Sequence, residues 1–123
     1  MSWELDSKRS IYTQLMEQLC RRIANGYYVP GGRIESVREL AEQAGVNPNT
    51  MQRALAEMER QGILYSSRTS GRFVTEDAER IRAMKTEMAK DAAAAFIRSI
   101  KDLSLTEEEI FSLIRTELEV ENQ

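Results

Sequence analysis

The chain contains no histidine and a single cysteine, Cys20, among its 123 residues. Without histidine it lacks the commonest general base and most zinc ligand sets, and one cysteine excludes an internal disulfide framework. No apolar run approaches the roughly 20 residues of a membrane-spanning helix. The N-terminal stretch MSWELDSKRS has no charged-then-apolar signal pattern. We therefore expect a cytoplasmic protein that is not an enzyme and needs no metal or cofactor.

The charge is divided unevenly along the chain. The composition is otherwise that of a globular protein, with 41% hydrophobic residues, 30% charged residues and a net charge of −3. Residues 1–75 contain ten Lys/Arg and eight Asp/Glu, a net charge of +2. Residues 76–123 contain seven Lys/Arg and twelve Asp/Glu, a net charge of −5. A phosphate-binding surface is therefore expected in the first part of the chain.

A first helix is predicted from the N-cap Ser10 to about Gly26. Apolar residues recur in it every four positions, as expected of a helix with one buried face. We expect Arg21 and Arg22 to be solvated and Cys20 to be a small core residue. The inward stripe consists of Ile11, Leu15, Leu19 and Ile23.

Two shorter helices follow, separated by a tight turn that contains Gly45. Ser36 and Glu39 form a capping box for the second helix. Asn47 is a suitable N-cap for the third, and Pro48 then occupies the first helical position, where its missing N–H group costs no hydrogen bond. The predicted core face of the third helix consists of Met51, Ala54, Leu55 and Met58.

Two strand-like runs, residues 63–66 and 72–75, flank the polar link SRTSG and predict a β-hairpin. Residues 77–102 and a final segment capped by Thr106 and Glu109 predict two more helices. Three helices followed by a hairpin indicate a winged helix-turn-helix. The fold class is therefore mainly α with a small β-hairpin: a winged helix-turn-helix domain (1–75) and a C-terminal two-helix dimerisation tail (76–123).

Several motifs resemble the GntR family of bacterial transcription regulators. RIESVRELAEQAGVNPNTMQRALAEMERQGIL is similar to the family's helix-turn-helix, and SGRFV to the end of its wing. The lead-in IYTQLMEQLCRRIANGYYVPGGRI is similar as well, so the resemblance covers roughly residues 8–75. VNPNT and the short tail resemble the YtrA subfamily, which lacks a large effector-binding domain. The resemblance implies a sequence-specific, DNA-binding regulator.

Three positions depart from that family's usual pattern. Relatives commonly have Leu-Pro-Ser before Arg-Glu-Leu-Ala, whereas here Ile34 and Glu35 precede Ser36. Many relatives have arginine where this chain has Pro48 and Gln52. The contacts of those two arginines cannot be carried over, and the base preference is expected to differ.

The N-terminal turns of the third helix of such a domain enter the major groove. Asn or Gln pairs with adenine, Arg with guanine, and a Thr methyl group touches thymine. The second helix and the wing are expected to contact phosphates, and Arg68 or Arg72 the minor groove. The predicted DNA-binding residues are Ser36, Arg38, Asn47, Asn49, Thr50, Gln52, Arg53, Arg68, Thr69, Ser70, Gly71 and Arg72.

Structural alternatives accompany these assignments. For Asn47 and Pro48 the alternative is that they only cap and start the helix. For Arg38 it is a surface ion pair with Glu35 or Glu42, which would contribute little stability. For the wing it is an ordinary solvated hairpin tip.

The tail has too little core to fold alone, so we expect it to pack against a second copy in a two-fold dimer. The predicted dimerisation residues are Ile81, Met84, Met88, Ala92, Ala95, Phe96, Ile100, Ile110, Phe111, Leu113, Ile114 and Leu118. The expected function is a homodimeric transcription repressor on a palindromic double-stranded operator. The alternative is a winged-helix protein-interaction module with weak nonspecific DNA binding. The tail leaves room for a small-molecule effector, although no sequence feature marks a pocket.

Overall fold

A computed structural model describes residues 2–123. It contains five α-helices and one antiparallel hairpin among these residues, in the order of a winged helix-turn-helix followed by two helices. The elements are α1 (Ile11–Ala24), α2 (Val37–Ala44), α3 (Pro48–Arg60), β1 (Leu64–Ser67), β2 (Gly71–Val74), α4 (Ala78–Ile100) and α5 (Glu107–Glu121), with a 3₁₀ turn (Lys101–Leu103) after α4. The predicted fold class, mainly α with a small β-hairpin in a winged helix-turn-helix, is confirmed.

Local capping explains where the helices begin. The Ser36 side chain accepts a hydrogen bond from the Glu39 N–H (3.1 Å), and the Glu39 carboxylate accepts one from the Ser36 N–H (3.2 Å). Thr106 and Glu109 make the same reciprocal pair at α5. Both predicted capping boxes are confirmed, and each satisfies two N–H groups that a helix start otherwise leaves unpaired.

The hairpin is displaced by one residue from its prediction. β1 begins at Leu64 instead of Ile63, and β2 ends at Val74 instead of Thr75, with Leu64 opposite Val74. The cause lies at the end of α3, where Gly62 has a φ of +79° and the Ile63 N–H donates to the Met58 carbonyl (2.9 Å). The Ile63 N–H therefore closes the helix and does not enter the strand ladder.

The core of the first part lies between α1, α2, α3 and the hairpin. All four residues predicted on the inner face of α3 are buried. Of the predicted α1 stripe, Leu15, Leu19 and Ile23 are buried, whereas Ile11 is half-buried. Complete burial of one such aliphatic side chain contributes about 1.5–3 kcal/mol relative to exposure. This packing fixes the outer face of α3 relative to the wing.

One expectation for α1 is wrong: Arg21 is exposed as predicted, but Arg22 is only 2% exposed. Its guanidinium lies 4.2 Å from the ring centroid of Trp3 and also lies near the ring of Tyr27. The Tyr28 hydroxyl accepts a hydrogen bond from Arg22 Nη1 (3.1 Å). These aromatic residues lie outside α1, before its start and after its end, so the helical pattern alone indicates a solvated arginine.

The N-terminal segment is held along α1 by two glutamines one helical turn apart. Gln18 bonds both the N–H and the carbonyl of Glu4, and Gln14 does the same for Asp6. Gln14 is buried, although its polar side chain places it outside the apolar stripe. Paired hydrogen bonds permit this burial because each end of the amide has a partner.

The chain forms two compact units, the first ending at Thr86 and the second consisting of Glu87–Gln123. The predicted boundary at residue 75 stays a prediction. Within the second unit, α5 leaves Phe111 60%, Leu118 59% and Leu113 46% exposed. In the first unit, Met84 is only 5% exposed, so it offers little surface to a second copy. None of the helices in residues 2–123 is long and apolar enough to span a membrane.

Candidate nucleic-acid interface

The N-terminal turn of α3 presents polar side chains outward. The Asn47 side chain accepts a hydrogen bond from the Asn49 N–H (2.8 Å), which confirms its capping role, and Pro48 occupies the first turn. Asn49 and Gln52 are exposed, and Thr50 is half-buried. Because the opposite face of α3 is buried, these side chains are available to a ligand outside the fold.

Arg53 is exposed but has an internal partner. Its guanidinium lies 4.8 Å from the centroid of the Tyr12 ring on α1. Such a cation–π contact contributes about 0.5–1 kcal/mol at an exposed site. Arg53 would therefore have to leave Tyr12, or keep it while using its outward N–H groups, to bind DNA.

A polar network joins α3 to the wing. Arg72 Nε donates to Glu59 Oε1 (3.2 Å), and Arg72 Nη1 donates to Gln52 Oε1 (3.4 Å). The Ser66 hydroxyl also donates to Glu59 Oε1. The Arg72 side chain is only 15% exposed. Arg72, predicted as a candidate for the minor groove, thus lies on β2 opposite Ser66, with its side chain bonded to α3.

The tip of the wing carries the other predicted polar residues. Arg68, Thr69 and Ser70 are all exposed, and no ion pair holds Arg68 within residues 2–123. Gly71 has a φ of +105°, and a Cβ added there would lie 3.0 Å from Arg33 Nε. The wing tip therefore offers one unpaired cation and small polar groups, the set expected of a phosphate-binding loop.

The start of α2 adds a second cationic position. Arg38 is exposed, and within the described part of the chain it forms no ion pair with Glu35 or Glu42. The Ser36 side chain is occupied by the capping box, and hydrogen bonds from the Ser36 backbone and side chain lower the pKa of Glu39. A cleft lined by Ser36, Gly71 and Arg72, among other residues, brings the start of α2 together with the wing.

Comparisons with known proteins agree with this arrangement. The family model described as "Bacterial regulatory proteins, gntR family" matches residues 11–74, from α1 to the end of β2. The chain belongs to the GntR family. The predicted family is confirmed.

Two Bacillus subtilis (strain 168) proteins show the kinship of this GntR-family chain. It is 38% identical over 116 residues to the uncharacterized HTH-type transcriptional regulator YhcF, covering 94% of this chain and 96% of that protein. It is also 38% identical over 73 residues to the HTH-type transcriptional repressor YtrA, covering 59% of this chain and 56% of YtrA. The predicted resemblance to YtrA-type regulators is confirmed.

Solved structures give the same result. A GntR family transcriptional regulator from Listeria monocytogenes matches with a TM-score of 0.84 and 36% identity, covering 91% of this chain and 98% of that one. The DNA-binding domain of AraR in complex with operator ORX1 matches with a TM-score of 0.52 and 30% identity, covering 61% of this chain and 92% of that one. The prediction that this chain is a DNA-binding transcription regulator is confirmed.

Two features of this GntR-family chain were not predicted from its sequence. Arg33 is exposed beside Gly71, because residues 31–34 lie along β2, with the Ile34 N–H donating to the Arg72 carbonyl (3.0 Å). Glu35, which departs from the family's usual proline, accepts a hydrogen bond from the Tyr28 hydroxyl (2.9 Å). The unusual carboxylate is therefore part of the Arg22 network. Of these two features, only Glu35 could have been noticed in the sequence, because it stands where the family usually has proline.

Proposed function

We propose that this regulator binds its operator through a surface built from the start of α2, the outer face of α3 and the wing. The outward polar face of α3 carries this proposal, because it lies next to unpaired arginines and has no role in the core. The assignment concerns the DNA-binding residues predicted above, with Arg33 added.

Base contacts are assigned to α3. Asn49 and Thr50 lie in its first turn and Gln52 one turn from the N-cap, where a recognition helix contacts base edges. The Asn47 side-chain oxygen already accepts the capping hydrogen bond, so Asn47 can offer DNA only the N–H groups of its side-chain amide. Each good bidentate side chain–base pair contributes about 1–3 kcal/mol of discrimination.

Phosphate contacts are assigned to the flanking arginines. Arg33, Arg38 and Arg68 are exposed and form no ion pair within residues 2–123. With about three to five phosphate contacts per protomer, a dimer should show a log–log salt slope of roughly −5 to −9. Thr69 and Ser70 complete the contact at the wing tip, whereas the Gly71 N–H is directed at Ser67 across the hairpin.

We further propose that the chain is a homodimeric repressor on a palindromic operator, and that it acts in the cytoplasm, where bacterial DNA lies. The exposed Phe111, Ile114 and Leu118 of α5 support the dimer, because large apolar side chains along one face of a helix are seldom left in water. Two-fold symmetry would place the two recognition helices on half-sites about one helical turn apart or a multiple of it.

Paired variants test the DNA surface. The full chain first selects binding sequences from a randomised duplex library, and fluorescence anisotropy then measures affinity as a function of salt. Asn49→Ala should relax preference at one base position of each half-site, whereas Arg38→Ala should weaken binding on every sequence and reduce the salt slope by about two, one for each protomer of the dimer. Unchanged selection and unchanged slope in both variants would overturn the assignment.

The oligomeric state is tested separately by sedimentation equilibrium. Leu118→Glu places a charge on the exposed apolar face of α5 and should convert the dimer into a monomer. Glu119→Gln, on the neighbouring position, is the matched control and should remain dimeric. A monomeric wild-type chain at micromolar concentration would contradict the homodimer.

A further inference from the structure

We propose that Arg72 determines the base preference of Gln52 by binding its carbonyl oxygen, so that Gln52 faces DNA chiefly with its amide N–H groups. The proposal rests on the proposed function, in which α3 contacts base edges. It makes Arg72 a positioning residue that acts through Gln52 and is distinct from the cations that contact phosphate.

The contacts around Arg72 fix the orientation of the Gln52 amide. The Arg72 guanidinium is anchored on Glu59 and extends Nη1 to within 3.4 Å of Gln52 Oε1. A guanidinium contains only donors, so the Gln52 atom that faces it must be the oxygen. Because Nε2 is on the other branch of the amide from Oε1 and Gln52 is exposed, the Nε2 group is accessible to an acceptor on DNA.

The anchor of Arg72 is itself held in place. Glu59 Oε1 accepts hydrogen bonds from both Ser66 and Arg72, and the Glu59 side chain is 27% exposed. A charge-assisted pair that is largely shielded from water is stronger than one on an open surface. Glu59 on α3 and Ser66 on β1 thus keep the guanidinium beside Gln52 before DNA arrives.

The amide orientation changes which base Gln52 can recognise. A free glutamine pairs bidentately with adenine, accepting from N6 and donating to N7. The bond from Arg72 takes one of the two lone pairs of Oε1 and places guanidinium N–H groups beside that oxygen, where an adenine N6 amino group would meet other donors. Guanine presents two acceptors, N7 and O6, and both suit the remaining amide N–H groups and the guanidinium. The structure therefore assigns a preference for guanine over adenine at the base that Gln52 contacts.

The test compares sequences selected from a randomised duplex library by the wild-type full chain and four variants, each with normal far-UV circular dichroism. Gln52→Ala identifies the base position that depends on Gln52. Arg72→Met removes the guanidinium but keeps an aliphatic stem, and should shift the guanine-to-adenine ratio at that position toward adenine by at least about five-fold. Arg68→Met is the matched control, with the same substitution at the wing tip, and should lower affinity without changing that ratio.

Glu59→Ala gives an independent second variant, because it releases the anchor and leaves Arg72 in place. It should shift the same ratio in the same direction. An altered position in Gln52→Ala but an unchanged ratio in both Arg72→Met and Glu59→Ala would overturn the role of Arg72 and leave the proposed DNA surface intact. No altered position in Gln52→Ala would instead overturn the base contact of Gln52, and the inference with it.

Discussion

Replacing Tyr28 with phenylalanine is the sharpest test of the buried polar network. The Tyr28 hydroxyl accepts from Arg22 Nη1 (3.1 Å) and donates to Glu35 Oε2 (2.9 Å), so one oxygen connects a buried guanidinium to a carboxylate. Arg22 is 2% and Tyr28 6% exposed. Tyr28→Phe keeps the aromatic ring and deletes both hydrogen bonds.

The magnitude follows from these contacts. A hydrogen bond to a charged group contributes about 1.5–3 kcal/mol. When a buried group loses this bond, the cost of its desolvation is no longer compensated there. Glu35 is half-buried and regains water, and Arg22 keeps its contact with the Trp3 ring. We therefore expect the free energy of unfolding to fall by about 2–3 kcal/mol, at the upper end of ordinary point substitutions.

The assay is urea unfolding at fixed protein concentration, followed by far-UV circular dichroism and by tryptophan fluorescence. Trp3 is the single tryptophan and lies over Arg22, so its emission reports on the network itself. Tyr27→Phe is the matched control, because Tyr27 is 52% exposed and the same change should alter the free energy of unfolding by less than about 0.5 kcal/mol. Equal effects of the two substitutions would refute the reasoning.

The remaining predictions concern two titrating groups and one glycine. Burial raises the pKa of Tyr28 to about 12. Between about pH 10 and pH 12 the unfolded chain loses the tyrosine proton before the folded chain does, so the free energy of unfolding should fall as pH rises. Urea unfolding of Tyr28→Phe should show a weaker fall over the same range. Burial also raises the pKa of Cys20 to about 11. At pH 8 its reaction with a thiol reagent should be at least about 100-fold slower in the folded chain than in urea, and similar rates would contradict its burial. Gly71→Ala strains a φ of +105° and crowds Arg33, so DNA affinity measured by anisotropy should fall about five-fold or more, whereas Gly45→Ala, with a φ of +68° and open space, should affect it less.

Local signals in the sequence were sufficient to predict the helix starts. The pairs at Ser36 and Thr106, and the Asn47-Pro48 step, depend on residues no more than three positions apart. Such interactions do not need the rest of the fold, so sequence spacing identifies them. The exposed face of α3 followed in the same way from its periodic apolar stripe.

Contacts between different elements of the fold could not be predicted from the sequence alone. Arg22 is buried because Trp3 and Tyr28 surround it, and Arg72 faces Gln52, which lies 20 positions away. Periodicity assigns a charged residue to water, and it has no means of showing that aromatic rings or a carboxylate will replace that water. The position of Arg33 beside the wing has the same origin, since it depends on pairing of residues 31–34 with β2.

The most direct test of the regulator assignment is the affinity and stoichiometry of the full chain on a duplex that it selects from fragments of its own genome. Fluorescence anisotropy at about 150 mM salt, with excess nonspecific duplex, should show saturable binding of two chains per site. That binding should be at least about 1,000-fold tighter than binding to the nonspecific duplex. Equal affinity for both duplexes, or saturation at one chain per site, would contradict a dimer that recognises a palindromic operator.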